Sequence, residues 1–285
     1  MDSKQQLLDQ ILGLGPVMPV LVIDEVVDAV PLARALVDNG VRVLEVTLRT
    51  PNAMSVIACL AEAVPEAVVG AGTVTTPEQL AAVERAGARF AVSPGLTPRL
   101  TAAARESSFP LLPGVMTTSE AMSAAEAGFT RLKLFPAQQA GGVGMLKALY
   151  GPLPELRFCP TGGVSVDNAA DFLALPNVMC VGGSWLAPDA LVKARDWDEI
   201  GRRAGERAVA IPVDEVVGGG GFVQPGDWVD VLLFLRGENG VRDSAQVVMQ
   251  SLRVIGFGAE VISPDGGVVS PEEKAGRKNE RARAR

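Results

Sequence analysis

The pattern that most limits how this chain can fold is a unit that recurs along most of its length. A short apolar run is followed by a glycine or proline turn, an amphipathic segment, and then the next apolar run. The runs fall near residues 17–23, 41–48, 67–72, 89–93, 110–115, 130–135, 157–161 and 178–182. Between them apolar residues recur at helical spacing, as at Val26, Val30, Ala33, Leu36 and Val37. Three of these segments open with Thr-Pro, at Thr50-Pro51, Thr76-Pro77 and Thr97-Pro98. A threonine N-cap followed by proline at the first helical position is a strong start signal. Residues 3–14 add a short amphipathic helix ahead of the first run. Eight runs alternating with helices, at roughly 25 residues per unit, predict an α/β fold of the (β/α)8 barrel type, near its lower size limit. A doubly wound open sheet is the alternative, but it does not require eight units of such even length.

A barrel of this kind places its chemistry at the C-terminal ends of the strands. Read in order, those ends carry Glu45, Thr47 and Arg49; Thr73; Ser93-Pro94; Pro113-Gly114; Lys133 and Phe135; Thr161-Gly162-Gly163; and Gly182-Gly183-Ser184. Lys133 is the only lysine in a predicted strand. Strand side chains alternate between faces, so Leu132 and Leu134 share one side while Arg131, Lys133 and Phe135 share the other. With the leucines packed outward under helices, Lys133 points into a closed interior. Burial there disfavours an ammonium and favours a free amine able to attack a carbonyl. The alternative is a lysine whose stem crosses the core and whose amine reaches solvent. Glu45 and Arg49 share parity on the second strand, opposite Leu44, Val46 and Leu48. A glutamate, an arginine and a lysine thus face one end of one interior. A purely structural ion-pair network would be a costly use of a barrel core. The last two strands each end in Gly-Gly beside a hydroxyl, which suits close backbone approach to an anion such as phosphate.

Composition narrows the chemistry. The chain has no histidine, which removes Ser-His and Cys-His nucleophile systems and the usual zinc sites. Acid–base work then falls to a carboxylate or a lysine, and neither a metal nor a cofactor is expected. Cys59, Cys159 and Cys180 are far apart and show no metal-ligand spacing. They read as reduced core residues of a cytoplasmic protein. A formal net charge of −7 argues against a nucleic-acid partner. The polar first ten residues and the absence of a long apolar run predict neither a signal peptide nor a membrane span.

Seven words carry a resemblance: Leu44-Glu45-Val46-Thr47-Leu48-Arg49-Thr50, Gly70-Ala71-Gly72-Thr73-Val74, Ser93-Pro94-Gly95, Leu112-Pro113-Gly114-Val115, Leu132-Lys133-Leu134-Phe135-Pro136-Ala137, Pro160-Thr161-Gly162-Gly163-Val164 and Gly182-Gly183-Ser184-Trp185. On these, about residues 1–205 resemble the 2-keto-3-deoxy-6-phosphogluconate (KDPG) aldolase family, whose bifunctional members also cleave 4-hydroxy-2-oxoglutarate. The resemblance implies a homotrimeric class I aldolase barrel of the Entner–Doudoroff pathway, acting on a small phosphorylated keto acid. It implies that Lys133 forms the Schiff base, that Glu45 transfers protons and that Thr161 lies beside the reacting carbons. Arg49 and Thr73 would hold the pyruvate part, with Pro94 and Phe135 lining the site. Gly162, Gly163, Gly182, Gly183 and Ser184 would fall in the phosphate region. One departure is the end of the first strand, where some relatives carry a basic residue and this chain has Val22-Ile23-Asp24. The galactonate-epimer aldolase is the alternative within the enzyme class.

The barrel is expected to span 1–206. Beyond it the chain changes character, with Gly218-Gly219-Gly220-Gly221 and then Pro225-Gly226-Asp227 ahead of an alternating apolar run, a turn-and-strand signal. Arg207-Ala208-Val209-Ala210-Ile211-Pro212-Val213-Asp214, Pro225-Gly226-Asp227 with Val229-Asp230-Val231, and Leu252-Arg253-Val254 resemble part of the SAF/RcpC module of CpaB-type Flp pilus assembly proteins. This implies a small, incomplete β-rich fragment over 207–262. The polar stretch 263–285 reads as a disordered tail. A second class of function follows from this likeness: a pilus-assembly scaffold in which the barrel is passive. The intact set of Glu45, Arg49 and Lys133 argues against it.

Overall fold

The computed structural model describes residues 2–205 and, beyond them, the strand residues 228–235, 244–253, 256–257, 260–262 and 268–269. The chain divides into two units, Met1–Arg207 and Ala208–Arg285.

The first unit begins with α1 (Asp2–Leu12) and then alternates: β1 (Val17–Leu21), α2 (Val26–Val37), β2 (Val43–Thr47), α3 (Ala53–Ala63), β3 (Val68–Gly72), α4 (Pro77–Arg85), β4 (Phe90–Val92) and α5 (Pro98–Glu106). The fifth apolar run is split by Pro113 into β5 (Leu111–Leu112) and β6 (Gly114–Val115). Then follow α6 (Thr118–Glu126), β7 (Arg131–Leu134), α7 (Gly142–Tyr150), β8 (Arg157–Pro160), α8 (Ala169–Leu173), β9 (Val181–Gly183), α9 (Asp189–Ala194) and α10 (Trp197–Gly205).

All these strands pair in parallel. One sheet runs β5-β4-β3-β2-β1-β9 and the other β6-β7-β8. Proline donates no ladder hydrogen bond, and at Pro113 the pairing passes from β4 on one side to β7 on the other. The opposite seam is bridged by Phe158 with Val178 and Thr161 with Gly182. The result is an α/β barrel.

Alternation along the strands makes two cores. Leu44, Val46, Leu132 and Leu134 face outward and pack with Leu32, Leu36, Val56 and Leu60 of the surrounding helices. Met18, Val43, Phe90, Val92, Leu112, Cys159 and Cys180 form a separate interior cluster, which α1 closes with Leu8, Ile11 and Leu12. Those three residues lie on one helix face, and burying each contributes about 1.5–3 kcal/mol.

Two of the three Thr-Pro signals behave as caps. Thr76 Oγ1 accepts from Gln79 N at 3.2 Å and Thr97 Oγ1 from Leu100 N at 3.2 Å. The third does not: α3 starts at Ala53 after Asn52, because the Thr50 hydroxyl donates instead to the carbonyl of Ile23 at 2.8 Å. A capping box at Thr117 and Glu120 starts α6.

In the second unit β10 (Trp228–Leu235) pairs antiparallel with β11 (Ser244–Arg253). The strands β12 (Gly256–Phe257), β13 (Glu260–Ile262) and β14 (Val268–Val269) pair antiparallel in a second sheet. β14 falls within 263–285, where the composition predicts no order. The remaining residues of that tail, the glycine run 218–221 and the Pro225-Gly226-Asp227 turn lie outside the described residues. No helix among the described residues is long and apolar enough to cross a membrane.

Candidate active site

Glycine clears the space in which the polar side chains meet. A Cβ on Gly72 would lie 2.3 Å from Glu45 Oε1, and one on Gly182 would lie 2.2 Å from Thr161 Oγ1. A Cβ on Gly114 would strike the carbonyl of Pro94 at 2.3 Å, which seats Pro94 against the strand next to Lys133. Gly70, one layer down, gives its place to the ring of Phe90. The glycines thus give their places to Phe90 at the floor and to Glu45 and Thr161 above it.

Glu45 enters that upper layer from β2 and Lys133 from β7, only 1% and 5% exposed. Lys133 Nζ donates to Glu45 Oε1 at 3.2 Å. Glu45 Oε2 is buried and has no hydrogen-bond partner. A buried carboxylate oxygen left unpaired is costly, and a substrate hydroxyl is the kind of donor that satisfies it. The ring of Phe135 lies 5.4 Å from Lys133 Nζ, at cation–π range. Of the described lysines, Lys4, Lys147 and Lys193 lie on helices, leaving Lys133 as the one on a strand.

Arg49 stands two residues past the end of β2 and is exposed. Its Nε donates to Thr73 Oγ1 at 3.3 Å. Thr73 has φ of 62°, a left-handed conformation that is rare for a β-branched residue and costs on the order of 1–3 kcal/mol. An arginine fork coupled to a hydroxyl suits a carboxylate.

Thr161 directly follows β8, and its hydroxyl lies 3.4 Å from the carbonyl of Cys159 and 3.9 Å from the Cys159 sulfur. The Cys180 thiol is held well above the usual thiol range by its hydrogen bond with Cys159 and by burial. It is therefore protonated and is no competing nucleophile. Gly162 and Gly163 have φ of 95° and 77°. A Cβ on Gly162 would meet Pro136 at 3.2 Å, and one on Gly163 would meet Gln138 Cβ at 2.4 Å. Gly183 lies under the ring of Trp185, and Ser184 is exposed beside it. These residues share the C-terminal ends of the strands with Lys133.

Sequence reasoning singled out Glu45, Lys133, Arg49 and Thr73 but not the clearing role of Gly72, Gly114 and Gly182. Their signal was present, since each falls on the interior parity of its strand. The packing of Gln138 on Gly163 and of Trp185 on Gly183 had no local signal.

Residues 8–203 match the family model of KDPG and KHG aldolase, and residues 202–285 that of Flp pilus assembly protein RcpC/CpaB. A 2-dehydro-3-deoxy-phosphogluconate aldolase of Pseudoalteromonas atlantica is 54% identical over 208 residues, 73% of this chain and 94% of the relative. A KHG/KDPG aldolase of Escherichia coli K12 is 53% identical over 198 residues, 70% of this chain and 93% of the relative. Among solved structures, the KDPG aldolase of Legionella pneumophila, with pyruvate captured as a covalent carbinolamine, superposes with a TM-score of 0.68. It is 47% identical, and the match covers 69% of this chain and 96% of that one.

Proposed function

This chain belongs to the KDPG and KHG aldolase family, and from that premise we propose that its (β/α)8 barrel is a class I aldolase with Lys133 as the Schiff-base lysine. The reaction cleaves 2-dehydro-3-deoxy-6-phosphogluconate to pyruvate and glyceraldehyde 3-phosphate. The observation that carries the reading is the buried Lys133–Glu45 pair at 3.2 Å, with one carboxylate oxygen unpartnered.

Lys133 Nζ attacks the C2 ketone, and loss of water from the carbinolamine gives an iminium. Glu45 takes the proton of the C4 hydroxyl. The C3–C4 bond breaks, its electron pair moves into the iminium to form an enamine, and the C4 fragment leaves as an aldehyde. Glu45 then returns the proton to C3, and hydrolysis frees pyruvate and Lys133. Arg49 and Thr73 hold the carboxylate of the pyruvate part, Thr161 lies beside the reacting carbons, and Pro94 and Phe135 line the site. Gly162, Gly163, Gly182, Gly183 and Ser184 receive the phosphate. 4-Hydroxy-2-oxoglutarate has the same ketone, hydroxyl and scissile bond, so the same steps release pyruvate and glyoxylate. Asp24, exposed near the end of β1, offers no positive charge to a phosphate, which favours turnover of this smaller acid.

The family resemblance supports a homotrimer, a cytoplasmic location and a place in the Entner–Doudoroff pathway. Residues 208–285 are an appended segment with no part in the chemistry.

Borohydride reduction in the presence of pyruvate, followed by peptide mass mapping, tests the assignment. The adduct is expected on Lys133 and absent from a folded Lys133→Met variant, which should also lose cleavage. A reduced adduct and turnover in that variant would remove Lys133 from its role.

A further inference from the structure

The lower end of β7 pairs with β8 on one side, and on the side of the fifth strand it is held by α1. Along the seam with the fifth strand, Phe135 N donates to Val115 O at 3.0 Å and Lys133 N to Pro113 O at 2.8 Å. The next step of that ladder would take Arg131 N to the carbonyl of Leu111. Arg131 N donates instead to Gln5 Oε1 at 2.9 Å. The same oxygen accepts from Thr130 N at 2.9 Å and from Thr130 Oγ1 at 3.3 Å. Two backbone donors converge on it, and this fixes which end of the amide faces the strand. Gln5 is 7% exposed. Beside it Arg131 forms a fork with Asp9 of α1, Nε to Oδ1 at 2.5 Å and a second contact from the guanidinium to Oδ2. Arg131 NH1 also donates to Thr130 Oγ1 at 2.7 Å.

We propose that Gln5 is a positioning residue for Lys133: it supplies the missing ladder acceptor and sets the height of β7 in the barrel wall. The inference rests on Lys133 being the Schiff-base lysine. Arg131 and Lys133 are two residues apart on the same face of a short strand, so a shift of the strand at Arg131 is carried directly to the amine. Lys133 meets Glu45 at a single contact of 3.2 Å. A displacement on the order of 1 Å far from the chemistry can cost up to about 10² in rate. Substrate groups held by Arg49, Thr73 and the glycine loops are on other strands, so binding is affected less than the covalent step.

The test compares the full-length wild type with Gln5→Leu and Gln5→Glu. Leucine removes the acceptor at similar volume, while glutamate keeps an oxygen in place. For each folded protein of wild-type oligomeric state, the rate of borohydride-trapped adduct formation with pyruvate is measured alongside kcat and KM. We expect Gln5→Leu to lower the trapping rate and kcat about tenfold with KM within about twofold, and Gln5→Glu to restore both to within about twofold of wild type. If the leucine variant does not fold, Gln5→Asn, one methylene too short to reach the strand, is read in the same way. A folded Leu or Asn variant with wild-type trapping rate and kcat, whatever its melting temperature, would reduce Gln5 to a stabilising contact. A Gln5→Glu variant as slow as Gln5→Leu would equally overturn the proposal. Failure of the wild type itself to trap pyruvate on Lys133 would instead overturn the aldolase reading.

Discussion

Gly72 and Glu45 stand on neighbouring strands so close that a Cβ at position 72 would lie 2.3 Å from Oε1 of the carboxylate. The missing methyl is what lets Glu45 reach Lys133. Gly72→Ala is therefore expected to leave the barrel folded while displacing the carboxylate and lowering kcat by about 10² or more. Steady-state kinetics on protein with an unchanged circular dichroism spectrum checks this. Activity within a factor of three of wild type would mean that Glu45 has another way in.

Glu45→Gln separates proton transfer from iminium formation. The amide still fits beneath Lys133, so pyruvate should be trapped by borohydride, though slowly. Carbon–carbon cleavage should fall by about 10²–10⁴, the usual worth of general acid–base help. Rapid-quench measurement of aldehyde release against adduct formation distinguishes the two steps. A normal cleavage rate would assign the proton to another group.

Thr73 carries backbone strain at the site, with φ of 62°. Asparagine tolerates the left-handed region better than threonine. Thr73→Asn is expected to raise the unfolding free energy by about 1 kcal/mol and at the same time to lower kcat/KM, because the hydroxyl that receives Arg49 Nε is gone. Paired denaturant titrations and kinetics read both signs. A less stable variant would show that Thr73 carries no relievable strain, and one as active as wild type that its hydroxyl is dispensable.

Every residue given a chemical role lies between Glu45 and Ser184, and the first unit closes by Arg207. A chain ending at Arg207 should keep kcat/KM for the phosphorylated substrate within about threefold, under roughly 0.7 kcal/mol in transition-state stabilisation. The comparison requires matched oligomeric state, measured by light scattering. A correctly assembled truncation a hundredfold slower would place part of the site beyond residue 207.

Much of this site was legible because strand parity is a local property. Once residues 43–47 and 131–134 are strands, Glu45 and Lys133 must face away from Leu44 and Leu132. What was not legible depends on partners far away in the sequence. Thr50 has the local form of a cap, but a carbonyl 27 residues earlier takes its hydroxyl. Gln5 looks like any polar helix residue until Thr130 and Arg131 arrive from 125 and 126 residues further on. Gly72 reads as a turn former, and only the approach of Glu45 reveals it as a space.

The docking of α1 also imposes an order on synthesis. Lys4 gives its amine to the carbonyls of Ala104 and Ser107, each at 2.6 Å, and Gln5 waits for β7. The helix α1 thus cannot complete its docking until residue 131 has been made. Until then Leu8, Ile11 and Leu12 have no floor to seal. Contacts of such long sequence separation are slow to form, and an apolar helix face left open meanwhile is a site for chaperones or for aggregation. Any part of the chain shorter than about the first 131 residues should therefore behave as an unsealed intermediate and not as a smaller folded domain.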